Sequence, residues 1–199
     1  MFLYGLLGLH GAFAGTLDGI LGEAAGPVTV LLWLRVAGRA RPPWFARGLR
    51  AAGDIGVGIA SGLGMWVASI ICVGVTLVIA RAFLGHTPDL PKIGEEFRGG
   101  WLIAFGLILV VVAPLCEELL FRGFLFRGLR GRWAYWPAAL VSSICFAIAH
   151  GSPFRLLNTF ADGLILSALY EGRKSLITSI AAHATLNTIV FLFMLNHLY

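Results

Sequence analysis

Charge is what this sequence has least of. Only 13% of its 199 residues are Asp, Glu, Lys or Arg, 58% are hydrophobic, and the mean hydropathy is +0.86. A soluble domain carries about 25% charged residues, so this balance excludes one and indicates an integral membrane protein. Cysteine is sparse too: Cys72, Cys116 and Cys145 all lie in apolar stretches. There the residue behaves as a small hydrophobe, and no redox compartment follows from it. The stretch Met1 to Leu9 has no Lys or Arg ahead of its apolar run and no A-x-A-like cleavage site, so it reads as the edge of a span and not as a cleaved signal. Internal repeats are absent as well, which gives an inverted-repeat transporter little support.

What is present is a succession of apolar stretches. The expected fold is all-α, a polytopic transmembrane bundle of about six spans of about 20 residues each, forming one membrane domain over residues 1–199. The candidate spans are Phe13 to Leu34, Ile55 to Leu84, Trp101 to Phe126, Ala134 to His150, Phe154 to Tyr170 and Leu176 to Leu195. Asp18 and Glu23 interrupt the first. Loops rich in Arg, Gly and Pro separate the spans. The net charge of +5 therefore reflects topology and not a nucleic-acid partner. Six spans put all but four of the 15 basic residues, namely Arg81, Lys92, Arg98 and Arg155, on one side. The positive-inside rule then places both termini outside the cytoplasm.

Glycine recurs every four residues at Gly11, Gly15 and Gly19 and again at Gly58 and Gly62. Small residues at that spacing let helices approach closely. Packing within one subunit is the expected use, with oligomeric state left open.

Four polar groups interrupt the apolar stretches. The stretch Trp101 to Leu115 has no charge, yet Glu117, Glu118 and Arg122 follow it directly. A charged side chain at the bilayer centre costs about 2.5–3.5 kcal/mol on insertion scales, so such residues face a protein interior or a wet cavity. Residues four apart share a helix face, which pairs Glu118 with Arg122 and turns Glu117 about 100° away, where it can face a cavity and carry the chemistry. Phe146 and His150 form a second group at the same spacing, and His183 and Asn187 a third. If the turn between two antiparallel helices lies at Gly131 to Trp133, Glu117 and His150 stand 16 and 17 residues from Trp133. Both are then about 25 Å from the turn and at matching depth. His183, 11 residues from the turn near Gly172, is about 16 Å deep. The remaining residues, Asp18, Glu23, Asp162, Glu171 and His10, read as structural or interfacial; Asp162 precedes Gly163 without a GxGD.

One Glu, two His and one Asn at similar depth can hydrolyse an amide with water. Burial of Glu117 suits a general base, His150 could hold the water, and His183 and Asn187 could donate to the oxyanion. Glu117, His150 and His183 also match the three-ligand set of some catalytic zinc sites. Against zinc, there is no HExxH and no dedicated second carboxylate beyond Glu118, which Arg122 occupies.

The EExxxR of Glu117 to Arg122, the FxxxH of Phe146 to His150 and the HxxxN of His183 to Asn187 resemble, in order and spacing, the three motifs of the CPBP family of intramembrane proteases. That family includes the CAAX prenyl proteases of the Rce1 type and bacterial Abi proteins linked to bacteriocin self-immunity. The resemblance covers about Trp101 to Leu195. It implies a glutamate-dependent intramembrane endopeptidase of a bacterial membrane that acts on a membrane-anchored protein or peptide. Glu117 and His150 would activate water, His183 and Asn187 would form the oxyanion site, and Glu118, Arg122 and Phe146 would support them. No cofactor is favoured, with zinc the alternative.

The matching depth places this site toward the Gly151 to Pro153 face, which the charge count assigns outside the cytoplasm, whereas prenyl-processing relatives act from the cytosol. The rival reading from another class is a non-enzymatic transporter or immunity factor whose buried Glu and His groups relay protons or bind a partner. A serine protease lacks its GxSG elbow, and a cysteine enzyme using Cys116 or Cys145 is weaker still.

Overall fold

A computed structural model describes Ala25, Gly26, Val28 and Arg35 together with residues 49–87 and 100–198. Among the described residues there are no strands. Five helices organise them: α1 (Leu49–Leu84), α2 (Gly100–Arg130), α3 (Tyr135–Ala149), α4 (Leu156–Arg173) and α5 (Leu176–Leu198). Helices α1, α2 and α5 are long and apolar enough to cross a membrane, and α3 is a shorter apolar helix. The 36 residues of α1 extend for about 54 Å, well beyond a hydrocarbon core of about 30 Å. Its outer face exposes Ile70, Ile71, Val78 and Phe83, a surface that suits lipid and not water. The candidate span Phe13 to Leu34 lies outside the described residues apart from Ala25, Gly26 and Val28, as do Gly11, Gly15, Gly19, Asp18, Glu23 and His10.

The helices overrun the apolar stretches from which they were expected. Helix α1 begins at Leu49 and not Ile55, and α2 continues past Phe126 to Arg130. Polar pairing carries these extensions. Fully buried Asp54 accepts a hydrogen bond from Arg173 Nε at 2.7 Å, and Arg50 Nη2 donates to the Arg173 carbonyl at 2.8 Å. Nearby, Arg130 donates two hydrogen bonds to Glu171, and Lys174 Nζ stands 2.8 Å from the same carboxylate. The start of α1, the end of α2 and the α4–α5 turn thus share one cation-rich end. Lys174 makes that turn in the left-handed region at φ 52°, and its N–H donates to the Tyr170 carbonyl. At the opposite end Gly151 (φ 63°) breaks α3, and a short 3-10 turn, Pro153–Arg155, leads into α4.

Helix α1 packs most extensively on α5, and α3 on α4. Glycine explains the first contact. A Cβ at Gly58 would stand 2.6 Å from the Thr178 carbonyl oxygen, and one at Gly62 would stand 2.5 Å from that of Ala182. The Gly58/Gly62 repeat therefore serves packing inside the chain. Met65, Phe121, Phe146, Leu166, Ala182 and Leu186 form one buried apolar cluster at mid-bundle, and Phe126, Ala138, Ala139, Tyr170 and Leu176 form another nearer the cationic end.

Two outcomes are expected. Gly62→Val drives a branched side chain into the backbone of α5 and should cost about 1–3 kcal/mol of stability, read as a fall in thermal unfolding temperature in detergent. Hydrogen bonding from Arg130 holds the Glu171 carboxyl below its ordinary 4.5. A depressed carboxyl stabilises the fold above its unfolded value and loses that contribution as pH falls through its folded value. Glu171→Gln should therefore flatten the acid limb of stability against pH below about pH 4.5 and leave the neutral region little changed.

Candidate active site

The site is assembled where α2 departs from α-helical geometry. Its π-helical turns, Ile108–Val112 and Leu119–Phe126, flank the α-helical piece Ala113–Glu118, which ends on the two carboxylates. π-helical turns recur at functional sites because they displace side chains from the regular 3.6-residue phase. The sequence expectation of one regular helix is corrected here: α2 stays continuous but departs from α-helical pitch twice.

Glu118 and Arg122 are both fully buried, with Nη1 2.7 Å from Oε1. Arg122 Nη2 donates to the Gly163 carbonyl of α4 at 3.1 Å, and its guanidinium carbon stands 4.4 Å from the centre of the Phe146 ring. The Glu118 Oε1 that accepts from Arg122 also stands 3.2 Å from His183 Nδ1 on α5. With the carboxylate as acceptor, Nδ1 of His183 carries the hydrogen.

Glu117 faces a different set. Its Oε2 is 3.8 Å from His150 Nε2 and 3.8 Å from His183 Nε2. His150 Nδ1 lies 2.8 Å from the Phe146 carbonyl oxygen, which only accepts, so the Nδ1–H tautomer is set and Nε2 presents a lone pair toward Glu117. A separation of 3.8 Å is too long for a direct hydrogen bond and leaves room for a shared small molecule such as water. Glu117 and His150 line a cavity of about 470 Å³ together with Gly26, Cys116, Leu120, Phe121 and Ala149.

Phe146 joins the two halves. Its buried ring centroid lies 4.6 Å from that of His150, 5.9 Å from His183 and 5.0 Å from Phe121. The FxxxH spacing thus delivers both a carbonyl that orients His150 and a ring that packs against both imidazoles. Asn187 Nδ2 donates at 2.8 Å to the backbone carbonyl of Leu109, in the first π-helical turn of α2. Leu109 escaped the sequence reading, as did the place of Phe121 and Cys116 in the cavity wall. Pro114 was the available signal for the irregular backbone, because proline removes a helix donor. Asp162 is buried and accepts a hydrogen bond from Asn158 Nδ2 at 3.2 Å.

Fold and site together define a helical integral membrane protein that holds two adjacent carboxylates, an arginine and two imidazoles inside its bundle. Residues 99–189, the segment that contains all three motifs, match the family described as type II CAAX prenyl endopeptidase Rce1-like. The chain is 31% identical over 131 residues to an uncharacterized 24.3 kDa protein of Escherichia coli, covering 63% of this chain and 60% of that one. It is 34% identical over 86 residues to the putative membrane peptidase YdiL of Bacillus subtilis, covering 43% and 35%. With the membrane-embedded CAAX protease MroQ of Staphylococcus aureus it shares 35% identity over 142 residues, covering 67% and 56%. The matches thus span from about a third to three fifths of these relatives' lengths. No solved structure matches the chain. Its bacterial relatives and apolar helices mark an integral membrane protein of bacteria.

Removing one member of the buried pair leaves an uncompensated interior charge, which costs about 3–5 kcal/mol. Arg122→Met should therefore lower thermal stability sharply, and the double variant E118L/R122M should recover most of the loss. Equal instability of the single and double variants would show that the pair is not the source of the effect.

Proposed function

We propose that the chain is an intramembrane endopeptidase that cleaves a membrane-anchored protein or peptide with water activated by Glu117. One observation carries the reading: Glu117 Oε2 stands 3.8 Å from two imidazole Nε2 atoms, and Glu117 and His150 line the same cavity. A water between Glu117 and His150 can donate one hydrogen to each and keep a lone pair for attack. As its oxygen bonds to the peptide carbonyl carbon, Glu117 takes a proton and the carbonyl oxygen becomes an oxyanion. His183, with hydrogen on both nitrogens, donates through Nδ1 to Glu118 and through Nε2 to that oxyanion. Collapse breaks the C–N bond, and the proton held by Glu117 passes to the leaving amine. With Glu117, Glu118, Arg122 and His183 charged, these four groups sum to zero, a condition that makes a buried cluster tolerable. Leu120, Phe121 and Ala149 in the cavity wall suit apolar residues beside the scissile bond.

Zinc would draw on Glu117, His150 and His183. Ligands about 2.0–2.2 Å from a tetrahedral zinc stand about 3.4 Å apart, less than the 3.8 Å between Glu117 and either imidazole. Among the described residues no three His, Cys, Asp or Glu side chains are placed to hold a metal ion, and Glu118 is engaged by Arg122 and His183.

Glu117→Ala, His150→Ala and His183→Ala should each abolish processing of the native substrate while the protein stays folded. The substrate is to be sought by comparing membrane proteomes of cells with the unmodified and Glu117→Ala chains. Full processing by any folded variant would overturn the mechanism. Processing should also survive exhaustive chelation with no zinc detected by elemental analysis, whereas loss on chelation and return with zinc would replace the glutamate mechanism.

A further inference from the structure

The first π-helical turn of α2 contains a gap in its backbone bonding, and its cause is legible residue by residue. The N–H of Ala113 donates to the carbonyl of Ile108, five residues back. Regular α-helical bonding would have sent that N–H to Leu109 instead. The next donor in the five-residue pattern would be residue 114, but Pro114 has no N–H. Both helical donors for the Leu109 carbonyl are therefore gone, one diverted and one missing. Inside a bilayer no bulk water replaces them, and an orphaned backbone carbonyl has to be satisfied by protein. Asn187 of α5 does so, donating from Nδ2 at 2.8 Å.

We infer that Asn187 is a positioning residue that sets where Glu117 and Glu118 point by completing the backbone turn that Pro114 leaves open at Leu109. Helix α5 holds α2 at two levels. Asn187 holds Leu109, and one turn earlier on α5, His183 meets Glu118 at 3.2 Å. These points lie nine residues apart on α2, about 13 Å, and Glu117 lies between them. The additional residue accommodated in a five-residue turn advances every following side chain by about 100° relative to uninterrupted α-helix. Whether Glu117 meets His150 therefore depends on that turn being kept. Buried Ala113 and Pro114 connect it to the carboxylates, with Glu117 three residues beyond Pro114. This inference rests on the reading of Glu117 as general base and gives one hydrogen of the Asn187 amide to the backbone of α2.

The test is a double-mutant cycle on the full chain in lipid nanodiscs, with Asn187→Ala and Pro114→Ala separately and together. Pro114→Ala restores a backbone N–H in the position from which a five-residue turn reaches Leu109. Two readouts are taken: thermal unfolding, and cleavage of the membrane protein whose processing Glu117→Ala stops. On the unmodified background, Asn187→Ala should lower the unfolding temperature by about 2–8 °C and cleavage by about tenfold to a hundredfold, the range that misplacement of a reacting group produces. On the Pro114→Ala background both losses should shrink to less than about a third in free-energy terms. Additive thermal effects would overturn the bonding argument. Rescue of stability with an undiminished loss of cleavage would overturn the positioning role and make Asn187 a direct donor to the reacting carbonyl. Absence of any cleavage by the unmodified chain would sink the protease reading and the catalytic half of this inference, while the thermal cycle would still decide the bond to Leu109.

Discussion

The buried contact between Glu118 and Arg122 is the constraint to which the other interior groups conform. Withdrawing two charges from water costs several kcal/mol per ion, and their attraction offsets this only with good geometry and additional hydrogen bonds. The chain supplies these from separate elements: a Gly163 carbonyl from α4, a Phe146 ring face from α3 and a His183 ring from α5. Three helices are thereby fastened to α2 at one depth. The close approach of α4 depends on a residue without a side chain, because a Cβ at Gly163 would stand within 3.0 Å of three atoms of Ser143. The interior ion pair thus specifies one arrangement of helices among many that apolar packing alone would allow.

Much of this was legible in the sequence because helical spacing is a strong rule. Separation by four residues paired Glu118 with Arg122 and Phe146 with His150, and the distance to the turn at Trp133 brought Glu117 level with His150 across two antiparallel helices. The all-α membrane class followed from apolar stretches that are long relative to a bilayer. Helix ends were less legible, since Asp54 and Glu171 read as loop-edge charges until their partners Arg173 and Arg130 came from more than 40 residues away.

The π-helical turns were the least legible part. No local pattern separates them from α-helix in an apolar stretch, and the bond that closes the first comes from Asn187, 78 positions along the chain. Proline at 114 announced a missing donor but not the direction from which a replacement would come. The HxxxN spacing correctly put His183 and Asn187 on one face of α5. That the two residues address different parts of α2, one a carboxylate and the other a backbone carbonyl, became visible only with the helices packed.

The position of the Phe146 ring has a further consequence. It stands over the Arg122 guanidinium and also meets both imidazoles, so a permanent cation and a pair of titratable rings pack against one hydrocarbon disc. One aromatic ring is thereby shared between architecture and chemistry: any change in its seat moves the cation's packing surface and both imidazoles together.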